Sequence, residues 1–140
     1  MFSIFTKKTT QSTVYIGFED LKTAIKYNKK YIIINTLPIL EQHCLIQSTI
    51  HAKKEEEIIN ELIQKYDDDT LILIYGRNAT DQTPQTKYDQ LKKLGFDKIH
   101  IYTAGLFEWL LLQNIYGESE FPTTTTCRDL LQYRPLPIIT

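Results

Sequence analysis

The chain has 140 residues, of which 42% are apolar and 24% charged, with a formal net charge of −1 at pH 7. One domain of this length buries about two-thirds of its unfolded surface without staples. So even a charge balance gives no electrostatic reason to expect nucleic acid or an anionic membrane surface as partner.

The N-terminus carries only a short apolar patch (Phe2, Ile4, Phe5) before Lys7 and Lys8. That is too short for a signal-peptide core, and no run approaches a membrane span, so a soluble cytoplasmic chain is expected. Cys44 and Cys127 form neither a CxxC pair nor a disulfide framework and are expected as reduced thiols. Residues 1–12, polar and rich in Thr and Lys, are expected as a flexible N-terminal segment. Thr13–Ile16 reads as a short strand. Gly17 serves as N-cap for a helix over Phe18–Tyr27, with Glu19 and Asp20 in its first turn and Lys26 in its last, as the macrodipole favours. Tyr31–Ile34 is apolar on both faces, the mark of a central parallel strand.

Pro38 takes the chain out of the sheet. Residues 39–51 have no clear period, with Cys44-Leu45-Ile46 as a short strand or buried anchor. A helix over Glu55–Tyr66 follows, its stripe made by Ile58, Ile59, Leu62, Ile63 and Tyr66. Asp67-Asp68-Asp69 is a turn rather than a metal site, because an EF-hand needs alternating ligands and a closing Glu. Leu71–Tyr75 is a buried strand and Gly76–Asp81 a polar loop. Thr83 as N-cap with Pro84 behind it opens a helix that Gly95 stops. Lys98–Tyr102 is a half-covered strand and Leu106–Ile115 a strongly apolar helix. Thr126-Cys127-Arg128-Asp129 reads as a capping box that opens a short helix through Gln132.

Strands alternating with helices imply an α/β three-layer sandwich, a mostly parallel central sheet of about five strands flanked by helices. Ligands of such sheets sit outside the carboxyl ends of the strands, which points at Gly76–Thr83. A strand that breaks into backbone donors and then a helix N-terminus is also a ready anion cradle. Arg77, Asn78 and Thr80 are the side chains placed to help bind an anion there, in a loop made of Gly76, Arg77, Asn78, Ala79, Thr80 and Asp81. His51 and His100 have no carboxylate or cysteine at ligand spacing, so no metal and no cofactor is expected.

From Tyr15 to Trp109 the layout resembles a single-domain rhodanese. Ile16-Gly17-Phe18-Glu19-Asp20-Leu21 mirrors the family's first strand and helix start. Asn35-Thr36-Leu37 stands where the family has Asp-x-Arg, and Cys44–Thr49 matches its Gly-His-Ile-Pro-Gly-Ala segment in spacing and hydrophobicity alone. The strongest match is Leu71–Trp109: strand, loop, helix ending in Gly-Phe, strand, then Gly-Gly-x-x-x-Trp, with Ala104 replacing the first glycine. Gly105–Gln113 and Phe121-Pro122-Thr123 look most like short rhodanese-domain proteins of large DNA viruses and AT-rich protists. The resemblance implies a loop whose first residue is a cysteine, whose thiolate takes up a sulfane sulfur and whose persulfide rests on backbone N–H groups. Gly76 holds that position here, and no residue through Thr83 is a cysteine. Covalent sulfur transfer therefore lacks its nucleophile. The Cdc25-type phosphatases share the fold and need the same cysteine plus a closing arginine, whereas Arg77 stands early in the loop.

The reading is a catalytically inactive rhodanese-like domain over residues 13–117, followed by a C-terminal tail over 118–140, acting as a binding or protein-interaction module. Leu106–Ile115 and the tail are the surfaces expected to meet a protein partner or a second copy. Two alternatives stand beside it: a sulfurtransferase or persulfide carrier using Cys44, and a structural subunit of a larger assembly. His43 is poorly placed to serve Cys44 as base, since neighbours in an extended segment point to opposite faces.

Overall fold

Val14–Ile16 (β1), Tyr31–Asn35 (β2), Leu71–Tyr75 (β3) and Ile99–Tyr102 (β4) form one parallel sheet, in the order β1-β4-β3-β2. The computed structural model describes residues 13–139, so the segment 1–12 expected to be flexible lies outside the described residues. β2 and β3 run in register from Tyr31 beside Leu71 to Asn35 beside Tyr75, and Ile72 pairs with Ile99 across β3 and β4. Because side chains alternate along a strand, each apolar run feeds two cores. Ile33, Leu73, Tyr75 and Tyr102 pack on Leu21 and Ala24 of α1 (Phe18–Lys26) and on Leu106, Trp109 and Leu110 of α4 (Gly105–Tyr116). Ile34, Ile72, Ile74, Ile99 and Ile101 pack on Ile59 of α2 (Ala52–Gln64) and on Tyr88 and Leu91 of α3 (Thr83–Lys93). The result is the expected three-layer α/β sandwich.

The described sheet has four strands rather than about five. Pro38 and a short 3-10 turn over Ile39–Glu41 lead the chain away, and Ile46 makes only an isolated antiparallel bridge, to Thr123 of the tail. α2 begins at Ala52, three residues before the expected Glu55, because the His51 ring caps it by accepting from Lys53 N at 3.2 Å. The capping box at Thr126 does not form. Asp129 is the cap instead, its carboxylate accepting from Leu131 N at 3.1 Å at the head of a 3-10 helix over Leu130–Tyr133.

Residues 118–139 fold back onto the body. Phe121 and Tyr133 are buried in the core shared by α1 and α4, Trp109 donates its indole N–H to Pro122 O at 3.0 Å, and Thr124 N donates to Leu45 O at 2.8 Å. This return corrects the reading of the cysteines as separate reduced thiols. Cys44 and Cys127 are joined in a disulfide, with Cα atoms 5.7 Å apart. Spacing in the sequence gave no hint of the pair, since the tail's path alone brings the two together. No helix among the described residues is long and apolar enough to cross a membrane.

Candidate functional site

The carboxyl end of β3 is clamped from the neighbouring strand. Thr36 N donates to Tyr75 O at 3.0 Å, and Asn35 Oδ1 accepts from Leu37 N at 3.0 Å. The Tyr75 ring is fully buried; its hydroxyl accepts from Ile46 N at 3.1 Å and lies 2.7 Å from Thr49 Oγ1. Burial pushes this phenol well above its ordinary range.

Immediately after Tyr75 the loop turns on the carboxylate of Asp81. One of its oxygens accepts from Arg77 N at 2.9 Å; the other accepts from Thr83 N at 2.9 Å and from Thr83 Oγ1 at 2.7 Å. Thr83 Oγ1 is in turn 2.8 Å from Thr36 Oγ1, which ties the head of α3 to the end of β2. The negative charge therefore sits on the positive end of the α3 dipole. A β-carbon added to Gly76 would press on Asp81 Oδ2 far inside 3.0 Å and on Pro84 Cγ at 2.9 Å. With Asp81 so placed, the residue after β3 has no room for a side chain.

The head of α4 closes on the same loop. Leu106 N donates to Gly76 O and Phe107 N to Arg77 O, both at 2.9 Å, so loop carbonyls satisfy N–H groups that a helix start leaves open. This approach needs Gly105, whose φ is +72° and whose added β-carbon would lie 2.8 Å from Asn78 N and from Gly76 O.

The side chains assigned to an anion are engaged within the chain. Arg77 Nη1 donates to both carboxylate oxygens of Glu41 at 2.8 Å, Nη2 donates to Gln132 O, and the guanidinium lies 5.9 Å from the centre of the Tyr133 ring. Asn78 is 6% exposed; it donates to Tyr133 O at 2.8 Å, while its side-chain oxygen accepts from Thr80 N at 3.0 Å and from Thr80 Oγ1 at 2.8 Å. Ala79 and Asp81 line a cleft of about 320 Å³ with Tyr15, Pro84, Gln85 and Ile101. Cys44 is fully buried and bonded to Cys127. Glu41, Gln132 and Tyr133 complete the site without having been singled out for it. Asp81-Gln82-Thr83 has the spacing of an Asx turn and was readable as such; the contributions of Glu41 and the tail left no local signal.

No protein-family model matches the sequence, and no curated protein matches it. Solved structures do. The rhodanese-like domain of the Alr3790 protein from Anabaena sp. is similar over 92% of this chain and 96% of its own, with a TM-score of 0.54 and 17% identity. The single-domain sulfurtransferase RDL2 of Saccharomyces cerevisiae covers 76% of this chain and 96% of its own at a TM-score of 0.55 and 14% identity. The As-Sb reductase of Leishmania major covers 76% and 81%, with a TM-score of 0.52 and 18% identity. The chain has the rhodanese-like fold.

Proposed function

We propose that this rhodanese-like domain performs no sulfur transfer at its Gly76 loop and works as a protein-interaction module. The observation that carries the reading is the position of Asp81. A persulfide at the first loop position requires a β-carbon, which the Asp81 carboxylate excludes. It also requires free backbone donors, and Arg77 N and Thr83 N already donate to that carboxylate. The loop's own carboxylate takes the place of a bound anion, and Arg77 and Asn78 fasten the tail over the loop. The Cys44 route is disfavoured by the full burial of that sulfur and its bond to Cys127, because the thiolate is the nucleophile.

The surfaces offered to a partner are the outer side of α4 and the tail. Leu111, Ile115 and Tyr116 are exposed on α4, as are Leu131, Leu136, Ile138 and Ile139 on the tail. The test is a thiosulfate:cyanide sulfurtransferase assay on the wild type and on Cys44→Ser, with and without prior reduction. Neither protein is expected to turn over above the buffer rate. Turnover in the wild type that Cys44→Ser abolishes would return the domain to the sulfurtransferases.

A further inference from the structure

We propose that Cys44–Cys127 is a thiol–disulfide exchange site in which an external thiolate attacks Cys127, and that opening it loosens the tail segment that covers the Gly76 loop. The two sulfurs are unlike. Cys44 has no exposed surface, whereas Cys127 is only partly buried and lines a groove of about 650 Å³ between α4 and the tail. That groove is walled by Leu110, Gln113, Asn114 and Arg128 and is roomy enough for a small peptide thiol. Access selects the sulfur that is attacked.

The chemistry balances with a low-molecular-weight thiol as reductant. Its thiolate bonds to Cys127 Sγ, the Cys127–Cys44 bond breaks, and Cys44 leaves as a thiolate that takes a proton. A second thiolate attacks the sulfur of the first thiol in the mixed disulfide and displaces Cys127, which is protonated in turn. Two thiols are oxidised to one disulfide and the protein disulfide gains two electrons. The reduced state has a place for its new donor, since Thr125 O lies 3.7 Å from Cys44 Sγ.

What reduction releases is set by where the tail is otherwise held. Before Cys127 the tail keeps independent anchors: Trp109 Nε1 and Gln47 N both donate to Pro122 O, and Thr124 N donates to Leu45 O. Beyond Cys127 the tail is held by the buried Tyr133 ring and by bonds to the loop, from Asn78 to Tyr133 O and from Arg77 to Gln132 O. Loss of the disulfide therefore removes the covalent tie of the segment that bears on Gly76–Asp81 and leaves it held by these bonds and by the buried Tyr133 ring.

The test uses the full chain with reduced glutathione or dithiothreitol, alkylation and peptide mapping. With oxidised glutathione, the Cys127 thiolate of Cys44→Ser is expected to take up one glutathione and displace the other as a thiol, faster than Cys44 does so in Cys127→Ser. In the reduced wild type, exchange of the Gln132 and Arg134 amides is expected to rise by about tenfold, with Trp109 emission unchanged. An adduct on Cys44 in the wild type, two free thiols in protein isolated without reductant, or equal exchange rates in both redox states would each overturn the proposal. The exchange measurement on the wild type decides the matter even where Cys44→Ser does not fold.

Discussion

The carboxylate of Asp81 occupies the space that a side chain on Gly76 would need, so the two positions are coupled across the loop. Gly76→Ala is expected to lower stability by about 1–3 kcal/mol through overpacking. Asp81→Ala is expected to cost about 1 kcal/mol through loss of its capping bonds to Arg77 N and Thr83 N. The double variant should lose less than the sum, with a coupling of at least about 0.5 kcal/mol in denaturant unfolding. Strict additivity would show that the two side chains do not compete for one space.

Gly105 is the less forgiving of the two glycines. Its φ of +72° is strained for any other residue, and the atoms its β-carbon would meet are backbone atoms of the loop, which move only with the loop itself. Gly105→Ala is therefore expected to cost about 2–4 kcal/mol, more than Gly76→Ala. Thermal or denaturant unfolding of the two single variants, measured together, checks the ranking.

Tyr75 holds segment 44–49 against the sheet with one hydroxyl. Tyr75→Phe leaves Ile46 N without its acceptor inside the core and is expected to cost about 1–3 kcal/mol. The same phenol gives a pH dependence. Burial raises its folded-state pKa above the ordinary value of 10.0, and burial followed by the bond to Glu108 does the same for Tyr102. Their contribution to stability is complete below pH 10 and falls as pH rises beyond it, because the unfolded chain ionises first. Unfolding midpoints between pH 8 and pH 11, roughly spanning that value, should decline for the wild type and decline less for Tyr75→Phe.

Asp67 predicts the opposite slope at acid pH. Its carboxylate accepts from Thr70 N, Asp69 N and Thr70 Oγ1, each at 2.9 Å, and the backbone bond from Thr70 contributes most to holding its pKa below the usual 3.8. The stabilisation is present above 3.8 and is lost as pH falls through the lower folded value. Asp67→Asn should remove that acid dependence and leave the alkaline limb unchanged. Chemical-shift titration of the Asp69 and Thr70 amides reads the same event locally.

The sequence by itself determined the order and kind of the main elements, because each βα unit buries its own apolar face and writes that period into a short stretch of chain. Leu71–Tyr75 is a strand with the limits expected of it, and Gly76–Asp81 lies where a parallel sheet presents its ligands. The lack of a cysteine in that loop was equally plain. Tertiary structure alone decided what fills the loop and what covers it. Arg77 meets Gln132 across 55 residues and Cys44 meets Cys127 across 83, by way of segments with no apolar period. Such contacts depend on the path of the tail, which the packing of Phe121 and Tyr133 into an already assembled core fixes. Local pattern records which face of an element is buried; it does not record which distant segment buries it.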